Sequence, residues 1–245
     1  MDYYDTGLDF LLQNSSAVYW IVFIGSAALC WFVQWNLKRK FEKYSKVLGF
    51  RGLTGREVAE RMLADHGITD VQVVSIAGHL TDHYDPTTHQ INLSEDVYNS
   101  NSIMAEAVAA HECGHAVQHA VAYGPLELRS KLVPTVSFAS KWMQWVLLGG
   151  MIMVSCTGNT IVLTVGVILF SLTTLFAFVT LPVEVNASQR AVEWLNNRGY
   201  TDSTTLDAAK DALHAAAYTY VAAALSSLGT LFYYILMLLQ ANRRS

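Results

Sequence analysis

Four long apolar stretches punctuate an otherwise polar chain. They cover residues 17–35, 138–156, 160–181 and 219–239. Each is close to the ~20 residues that an α-helix needs to cross a hydrocarbon layer of roughly 30 Å. The second stretch has Lys141 near its start, whereas the third is the most uniformly apolar. The pattern predicts about four transmembrane helices.

The charges around the first stretch predict its orientation. Residues 1–16 contain no Lys or Arg, whereas six basic residues follow the stretch directly. Cytoplasmic flanks of membrane spans carry an excess of Lys and Arg, so we expect 1–16 outside the cytoplasm and 36–137 within it. The six basic residues are Lys38, Arg39, Lys40, Lys43, Lys46 and Arg51.

The number of spans predicts the rest of the topology. Four spans return residues 182–218 to the cytoplasm and leave the tail 240–245 outside. Arg243 and Arg244 in that tail conflict with the charge rule, although six basic residues outnumber them. The expected location is the cell membrane, multi-pass, with both long polar segments on the cytoplasmic face.

The first apolar stretch is expected to be a retained membrane anchor rather than a cleaved signal peptide. A signal peptide carries positive charge before its apolar core. Here the acidic residues Asp2, Asp5 and Asp9 stand in that place.

The polar segment 36–137 has the pattern of a small α+β domain. Thr54 and Glu57 stand at the spacing of a helix capping box, ahead of a helical apolar face. Residues 71–76 are rich in β-branched side chains and predict a strand. Ser102 is the predicted N-cap of an alanine-rich helix that runs to about residue 122.

A β-hairpin is predicted between that strand and that helix. Residues 80–84 and 90–93 flank Asp85-Pro86-Thr87-Thr88, which opens as a turn. The hairpin, from about His79 to Leu93, offers either an edge strand on which an extended peptide pairs or an ordinary strand of a small sheet.

Composition supports a location in the membrane and argues against other classes of protein. The chain has 245 residues, of which 52% are apolar and 15% charged, and its net charge is −4. Soluble domains carry about 25% charged residues. This negative net charge argues against a basic surface that would bind nucleic acid. The cysteines Cys30, Cys113 and Cys156 are not placed as a pair, so we expect no disulfide.

The alanine-rich helix contains His111-Glu112-Cys113-Gly114-His115, a HExxH pattern. Two histidines four residues apart lie on one helical face, so both imidazoles reach a single metal ion. Glu112 stands beside that ion, where it can take a proton from the attacking water. Small apolar neighbours on both sides favour a buried metal site over a chance occurrence.

The third ligand is expected to come from outside this helix. His119 lies about 12 Å along the helix from His111, too far to share one ion. Three roles remain open for it: it contacts a metal ligand, it faces the substrate, or it is part of the polar surface. Cys113 points away from His111 and is expected to be packing. Glu184 is the best candidate. Its weaker rivals are Glu127, Glu193 and Asp202.

Glu184 follows the third apolar stretch. Pro182 suits the first turn of a helix, so a new helix is expected to start there. A carboxylate in a first helical turn is favoured by the helix dipole, which is the alternative role for Glu184. An even number of spans places Glu184 on the same membrane face as His111.

These motifs make the chain recognisable. HECGHAVQHAVAYGPLELRSKLVP, with LTDHYDP before it and LPVEVNASQRA after it, resembles the YugP-like bacterial membrane zinc metallopeptidases. The resemblance runs from about Gly52 to the end of the fourth stretch. HtpX-type and CAAX-prenyl-protease zinc peptidases are more distantly similar.

The resemblance implies a gluzincin, a zinc peptidase with HExxH and a later glutamate ligand. His111, His115 and Glu184 would hold one Zn²⁺ per chain, and Glu112 would be the general base. The implied fold is a mainly α membrane protein with a cytoplasmic α+β zincin-like catalytic domain. Asn186 and Ser188 stand where the related patterns carry aspartates, which would orient a zinc-bound histidine.

The expected reaction is hydrolysis of peptide bonds in membrane or membrane-associated proteins. Glu112 would pass the proton of the attacking water to the leaving amine. A second oxyanion donor or substrate contact is also needed. The sequence leaves four candidates open, His83, Tyr84, His119 and Arg190.

Two alternatives remain at this point. One is a site-2-type intramembrane protease, in which Glu106, Gln118 and His119 would be costly inside the bilayer. The other is a non-catalytic, zinc-stabilised membrane scaffold, which has no need of Glu112. The natural substrate, the oligomeric state and any regulator leave no trace in the sequence.

Overall fold

The computed structural model describes residues 7, 10–12, 14–49 and 51–244, apart from the side chain of residue 244. The described chain is mainly helical, with one small sheet. The helices are α1 (Ser15–Tyr44), α2 (Gly55–Asp65), α3 (Glu95–Tyr98), α4 (Ile103–Ala120), α5 (Gly124–Thr157), α6 (Ile161–Asn197) and α7 (Ser203–Arg244), and the strands are β1 (Gln72–Ile76), β2 (His83–Asp85) and β3 (Gln90–Ser94).

Both predicted helix caps are confirmed. The Glu57 amide donates to Thr54 Oγ1 at 3.2 Å, and the Thr54 amide donates to the Glu57 carboxylate at 2.8 Å. Ser102 accepts a hydrogen bond from the Ala105 amide at the start of α4. These bonds satisfy amide groups that a helix leaves without partners at its first turn.

The predicted strand and hairpin are both present. The sheet has the order β1-β3-β2, with β1 parallel and β2 antiparallel to β3. Asp85 caps the connecting turn, because its carboxylate accepts from the Thr87 amide and the Thr88 hydroxyl. Because β2 is last in this strand order, it forms an edge of the sheet. Both hairpin strands contact α4.

The predicted helix start at Pro182 is wrong. The helix α6 is continuous from Ile161 to Asn197 and carries Pro182 in its interior. A proline in a helix lacks one amide donor and crowds the carbonyl four residues earlier. That local cost does not end α6, because residues on both sides of Pro182 are packed in the cores of the protein. Glu184 is consequently in mid-helix rather than in a first turn.

Within the part of the chain that the structure describes, three helices are long and apolar enough to cross a membrane, namely α1, α6 and α7. They contain three of the four predicted spans. The stretch 138–156 lies in α5, which falls outside this set by composition. Lys141 and Gln144 lower the apolar character of its first half. The fourth span therefore stays a prediction.

The structure divides into two units. One unit contains the chain up to Phe32, Arg129–Val179 and the chain from Val221 onward. Within it, α5 and α6 approach closely, because a Cβ atom on Gly150 would lie 2.6 Å from the Leu163 backbone. Close contact through small residues is typical of helices that associate in a membrane.

The other unit comprises Val33–Leu128 and Thr180–Tyr220. Its core lies between α4, α2, the sheet and the C-terminal part of α6. The alanines of α4 have small side chains, so neighbouring elements pack closely against this helix on several sides. Fully buried members of the core include Val58, Met62, Ile91, Leu93, Ala110, Cys113 and Leu195.

One carboxyl of this core is buried away from the candidate site. Glu106 in α4 is 3% exposed, and its Oε1 atom has no hydrogen-bond partner. A Cβ atom on Gly49 would overlap the Glu106 carboxyl group, so the backbone at Gly49 closes over it. Burial raises the pKa of Glu106 to about 7, although a hydrogen bond from the Leu53 amide opposes the rise.

Glu106→Gln is predicted to change how stability depends on pH. The pKa of Glu106 is higher in the folded protein than its ordinary 4.5, so folding favours the protonated form. The contribution of the protonated Glu106 carboxyl to the free energy of unfolding is fully present below about pH 4.5, and it is lost as the pH rises through about 7. Thermal melting in detergent should show similar Tm values at pH 4.5 and a higher Tm for the variant at pH 8, where its free energy of unfolding should exceed that of wild type by up to about 3 kcal/mol. Glu193→Gln, at an exposed site, is the control, and parallel pH curves for wild type and Glu106→Gln would refute the assignment.

Candidate metal centre

The HExxH residues of α4 meet Glu184 of α6. His111 and His115 lie one helical turn apart, with ring centroids separated by 4.9 Å. The Nε2 atom of each imidazole lies 3.4 Å from Glu184 Oε2. The side chain of Glu184 is only 3% exposed, and those of the two histidines are 14% and 10% exposed. Three potential ligand atoms therefore converge in a largely buried space.

A glycine inside the motif makes this convergence possible. A Cβ atom on Gly114 would lie 2.5 Å from the Ala187 carbonyl oxygen and 3.0 Å from its Cα. Ala187 is itself fully buried. The backbones of α4 and α6 thus touch where neither helix carries a large side chain, and Glu184, one turn before Ala187, comes within reach of the histidines.

The outer nitrogens of both histidines have partners. His111 Nδ1 lies 3.1 Å from the Ser188 hydroxyl. His115 Nδ1 lies 3.0 Å from Gln118 Oε1. With each Nδ1 held from behind, each Nε2 faces Glu184. This arrangement is the one in which neighbouring groups orient metal-ligating histidines.

The electrostatics of the cluster call for a positive charge. A carboxylate oxygen and two imidazole lone pairs at 3.4 Å would repel one another unless a proton or a cation lay among them. Burial lowers the pKa of His115, but the hydrogen bond with Glu184 and the nearby Glu112 charge outweigh burial and raise it. The surroundings therefore stabilise a cation.

The donor set fits a zinc ion. Two imidazoles and one carboxylate are the ligands of a well-known class of catalytic zinc site, which keeps its fourth position open. Ligand atoms about 2.0–2.1 Å from a tetrahedral ion lie about 3.3 Å apart, close to the two 3.4 Å separations. Among the described residues, this is the one group of three His, Cys, Asp or Glu side chains whose ligand atoms all lie within 4.8 Å.

The remaining motif residues lie on either side of the cluster. Glu112 is 8% exposed and follows His111 directly. Cys113 is fully buried and its thiol lies 3.5 Å from the Ala59 carbonyl of α2, on the packed side of α4. The rival third ligands Glu127, Glu193 and Asp202 are not part of the cluster. Asp202 instead accepts from the Thr205 amide.

Of the four candidate oxyanion or substrate contacts, two are brought together. Tyr84 Oη lies 2.8 Å from His119 Nδ1, and this joins edge strand β2 to the turn of α4 after His115. Burial raises the pKa of Tyr84 to about 12, with smaller contributions from Asp70 and Asp85. The phenol is therefore neutral and able to donate over the physiological pH range.

The other two candidates have different partners. His83 Nδ1 lies 2.8 Å from the Thr81 carbonyl, and its Nε2 lies 3.2 Å from Asn92 Nδ2. Arg190 donates to Asn186 Oδ1 at 2.8 Å. Asn186 in turn accepts from Gln118 rather than from a histidine. Gln118 was not among the candidate site residues, although its position three residues after His115 on the same helical face was a usable signal.

Comparison with known proteins now adds to this geometry. A family described as "Putative neutral zinc metallopeptidase" matches residues 19–239. The chain belongs to this family. It is also 44% identical, over 219 residues, to the "Putative membrane protease YugP" of Bacillus subtilis (strain 168). The aligned residues cover 89% of this chain and 96% of that protein. No solved structure matches the chain.

Membership in this family agrees with the resemblance drawn from the motifs. A zinc metallopeptidase family, a membrane-protease homologue and helices able to span a membrane together describe a membrane-located zinc peptidase. The family also implies zinc, for which the residues His111, His115 and Glu184 are a fitting set of ligands.

Gly114→Ala is predicted to separate α4 from α6. The added methyl group would meet the Ala187 backbone at 2.5 Å, which side chains cannot relieve. Overpacking of this kind costs about 1–3 kcal/mol, and the same shift moves Glu184 away from the histidines. Both Tm and zinc affinity, measured by competition with a chelator, should fall. Gly124→Ala has open space and should change neither; equal behaviour of the two variants would contradict the close approach.

Proposed function

We propose that this protein is an integral-membrane zinc endopeptidase of the HExxH gluzincin type. The observation that carries the proposal is the convergence of His111 Nε2, His115 Nε2 and Glu184 Oε2 beside the buried Glu112. One Zn²⁺ per chain would be held by these two histidines and Glu184. When bound, the ion supplies Lewis acidity, which polarises the scissile carbonyl and makes water more acidic.

Glu112 is the proposed general base. The residue follows a ligand directly in the helix and is buried, so its carboxylate is close to the space between the ligands and little solvated. It would take the proton of the attacking water and then deliver it to the leaving amine. A site that only stabilises the fold would need the three ligands but not this carboxylate.

The Tyr84–His119 pair is the proposed second donor to the developing oxyanion. Its two members come from different elements and hold each other at 2.8 Å. His119 is one helical turn beyond the ligand His115, about 6 Å along the helix, so the pair stands next to the ligands. The raised pKa of Tyr84 keeps a proton on the phenol that can be donated.

The substrates are proposed to be peptide segments of membrane or membrane-associated proteins. The ligand-bearing helix α6 is also one of the helices able to span a membrane, and Glu184 follows the end of its apolar stretch. The site would therefore stand near the membrane surface. The edge strand β2 would pair with an extended substrate. A site-2-type arrangement is disfavoured because α4 packs against α2 and the sheet as well as against α6, whereas a site inside the bilayer would be enclosed by apolar helices alone.

We also propose four spans and a cytoplasmic catalytic face. The fourth span is the stretch 138–156 of α5, which approaches α6 closely at Gly150. With four spans, the basic segment after the first one lies in the cytoplasm together with both parts of the catalytic unit.

Glu112→Gln should separate metal binding from catalysis. The variant keeps all three ligands, so zinc should bind stoichiometrically, while cleavage of casein in detergent should fall by about 10²–10⁴-fold.

Glu184→Ala should instead weaken zinc binding by more than about 100-fold, because even the loss of a supporting contact costs 10–100-fold. Undiminished cleavage by Glu112→Gln would refute the mechanism, and absence of cleavage by zinc-loaded wild type would favour the scaffold alternative.

Tyr84→Phe should slow cleavage without loosening the metal. Removing one donor to an oxyanion typically lowers kcat by about 10²–10³-fold, while the zinc ligands are untouched. Steady-state kinetics should show the loss in kcat, with chelator competition unchanged. Tyr98→Phe in α3 is the matched control. An unchanged kcat for Tyr84→Phe would remove the pair from the reaction.

Cysteine labelling tests the topology. Cys156 at the end of α5 is exposed, whereas Cys113 is buried, and four spans place Cys156 outside the cell. A membrane-impermeant maleimide should label wild type in intact cells but not Cys156→Ser. In that background, Ser203→Cys at the exposed start of α7 should be labelled only after the cells are made permeable. Labelling of Ser203→Cys in intact cells would overturn the orientation.

A further inference from the structure

Both amide protons and the amide oxygen of Gln118 have hydrogen-bond partners. It is fully buried in α4, three residues after His115. Its Nε2 donates to the Val183 carbonyl at 2.8 Å and to Asn186 Oδ1 at 3.0 Å. Its Oε1 lies 3.0 Å from His115 Nδ1. A single buried amide thus links α4 to α6 at the candidate metal centre.

The chemistry of these partners determines the orientation of the amide. A backbone carbonyl only accepts, so the group facing Val183 must be the NH₂ end of Gln118. Arg190 only donates, so the atom of Asn186 that it contacts must be the oxygen, which also receives the second Gln118 proton. The oxygen of Gln118 is left facing His115, and only an N–H donor suits it there.

We propose that Gln118 is a positioning residue that holds neutral His115 in the tautomer with the proton on Nδ1. In that tautomer, the Nε2 lone pair points at the space shared with Glu184. The tautomer of a metal-binding histidine is set by the hydrogen bond that its other nitrogen makes. This inference rests on the proposed metal site.

The same amide also sets the spacing between two ligands. Val183, whose carbonyl receives a Gln118 proton, directly precedes Glu184. Gln118 therefore connects one ligand, His115, to the backbone beside another. The contact of His111 lacks this property, because the Ser188 hydroxyl either donates or accepts and does not impose a tautomer. Loss of the Gln118 bonds should accordingly cost more metal affinity than loss of the Ser188 hydroxyl.

The test compares zinc affinity among variants of the full-length protein in detergent. Gln118→Leu keeps the size of the side chain and removes all three bonds, so zinc should bind about 10–100-fold more weakly. Ser188→Ala should lose less. Gln189→Leu, at an exposed neighbouring position of α6, is the matched control and should leave the affinity unchanged.

Asn186 provides a milder perturbation in case Gln118→Leu folds poorly. Asn186→Leu removes one of the two acceptors that orient Gln118, and zinc affinity should fall. Asn186→Asp keeps an acceptor oxygen for both Gln118 and Arg190, so the wild-type affinity should be retained. The Tm of each metal-free variant reports folding separately from metal binding.

A spectroscopic measurement separates positioning from a general loss of stability. The visible absorption of protein loaded with Co²⁺ reports coordination geometry. It should change for Gln118→Leu and Asn186→Leu but not for Asn186→Asp or Gln189→Leu. Wild type that binds zinc tightly, with Gln118→Leu and Asn186→Leu equal to it in affinity and spectrum, would overturn the positioning role and leave the metal site standing. Wild type that fails to bind zinc would overturn the proposed function itself, and the inference with it.

Discussion

The Nε2 atoms of His111 and His115 each lie 3.4 Å from Glu184 Oε2 in a buried space, and a proton or a cation among these atoms is needed to offset their repulsion. Everything around the cluster serves that arrangement. Gly114 permits α4 and α6 to touch at Ala187. Ser188 and Gln118 hold the outer nitrogens of the histidines. The core of alanines and leucines keeps α4 in place, so the candidate ligands have few alternative positions.

The continuous helix α6 combines a stretch apolar enough to span a membrane with a residue of the candidate metal centre. One helix carries a strongly apolar first part and, beyond Pro182, the candidate ligand Glu184. Its second part also provides Val183, Asn186 and Ser188, which contact Gln118 or His111. The helix α6 thus supplies the candidate ligand Glu184 and contacts of the groups that hold both histidines. This accounts for a peptidase whose proposed substrates lie at the bilayer.

Local patterns predicted much of this structure, because they depend on neighbours in sequence. The capping box at Thr54, the N-cap at Ser102, the hairpin and the spacing of HExxH are of this kind. The helix start expected at Pro182 failed because packing on both sides outweighs a local break. The contact of Gln118 with His115 could have been inferred from their spacing of three residues, but its contacts with Val183 and Asn186 could not, because these partners lie 65 and 68 residues away.

The most direct test of the central claim is to locate the metal itself. The purified protein would be loaded with zinc, and anomalous X-ray diffraction recorded at the zinc absorption edge. We expect a single peak per chain, about 2.0–2.2 Å from His111 Nε2, His115 Nε2 and a Glu184 carboxylate oxygen. A peak elsewhere, or zinc held without Glu184, would contradict the account.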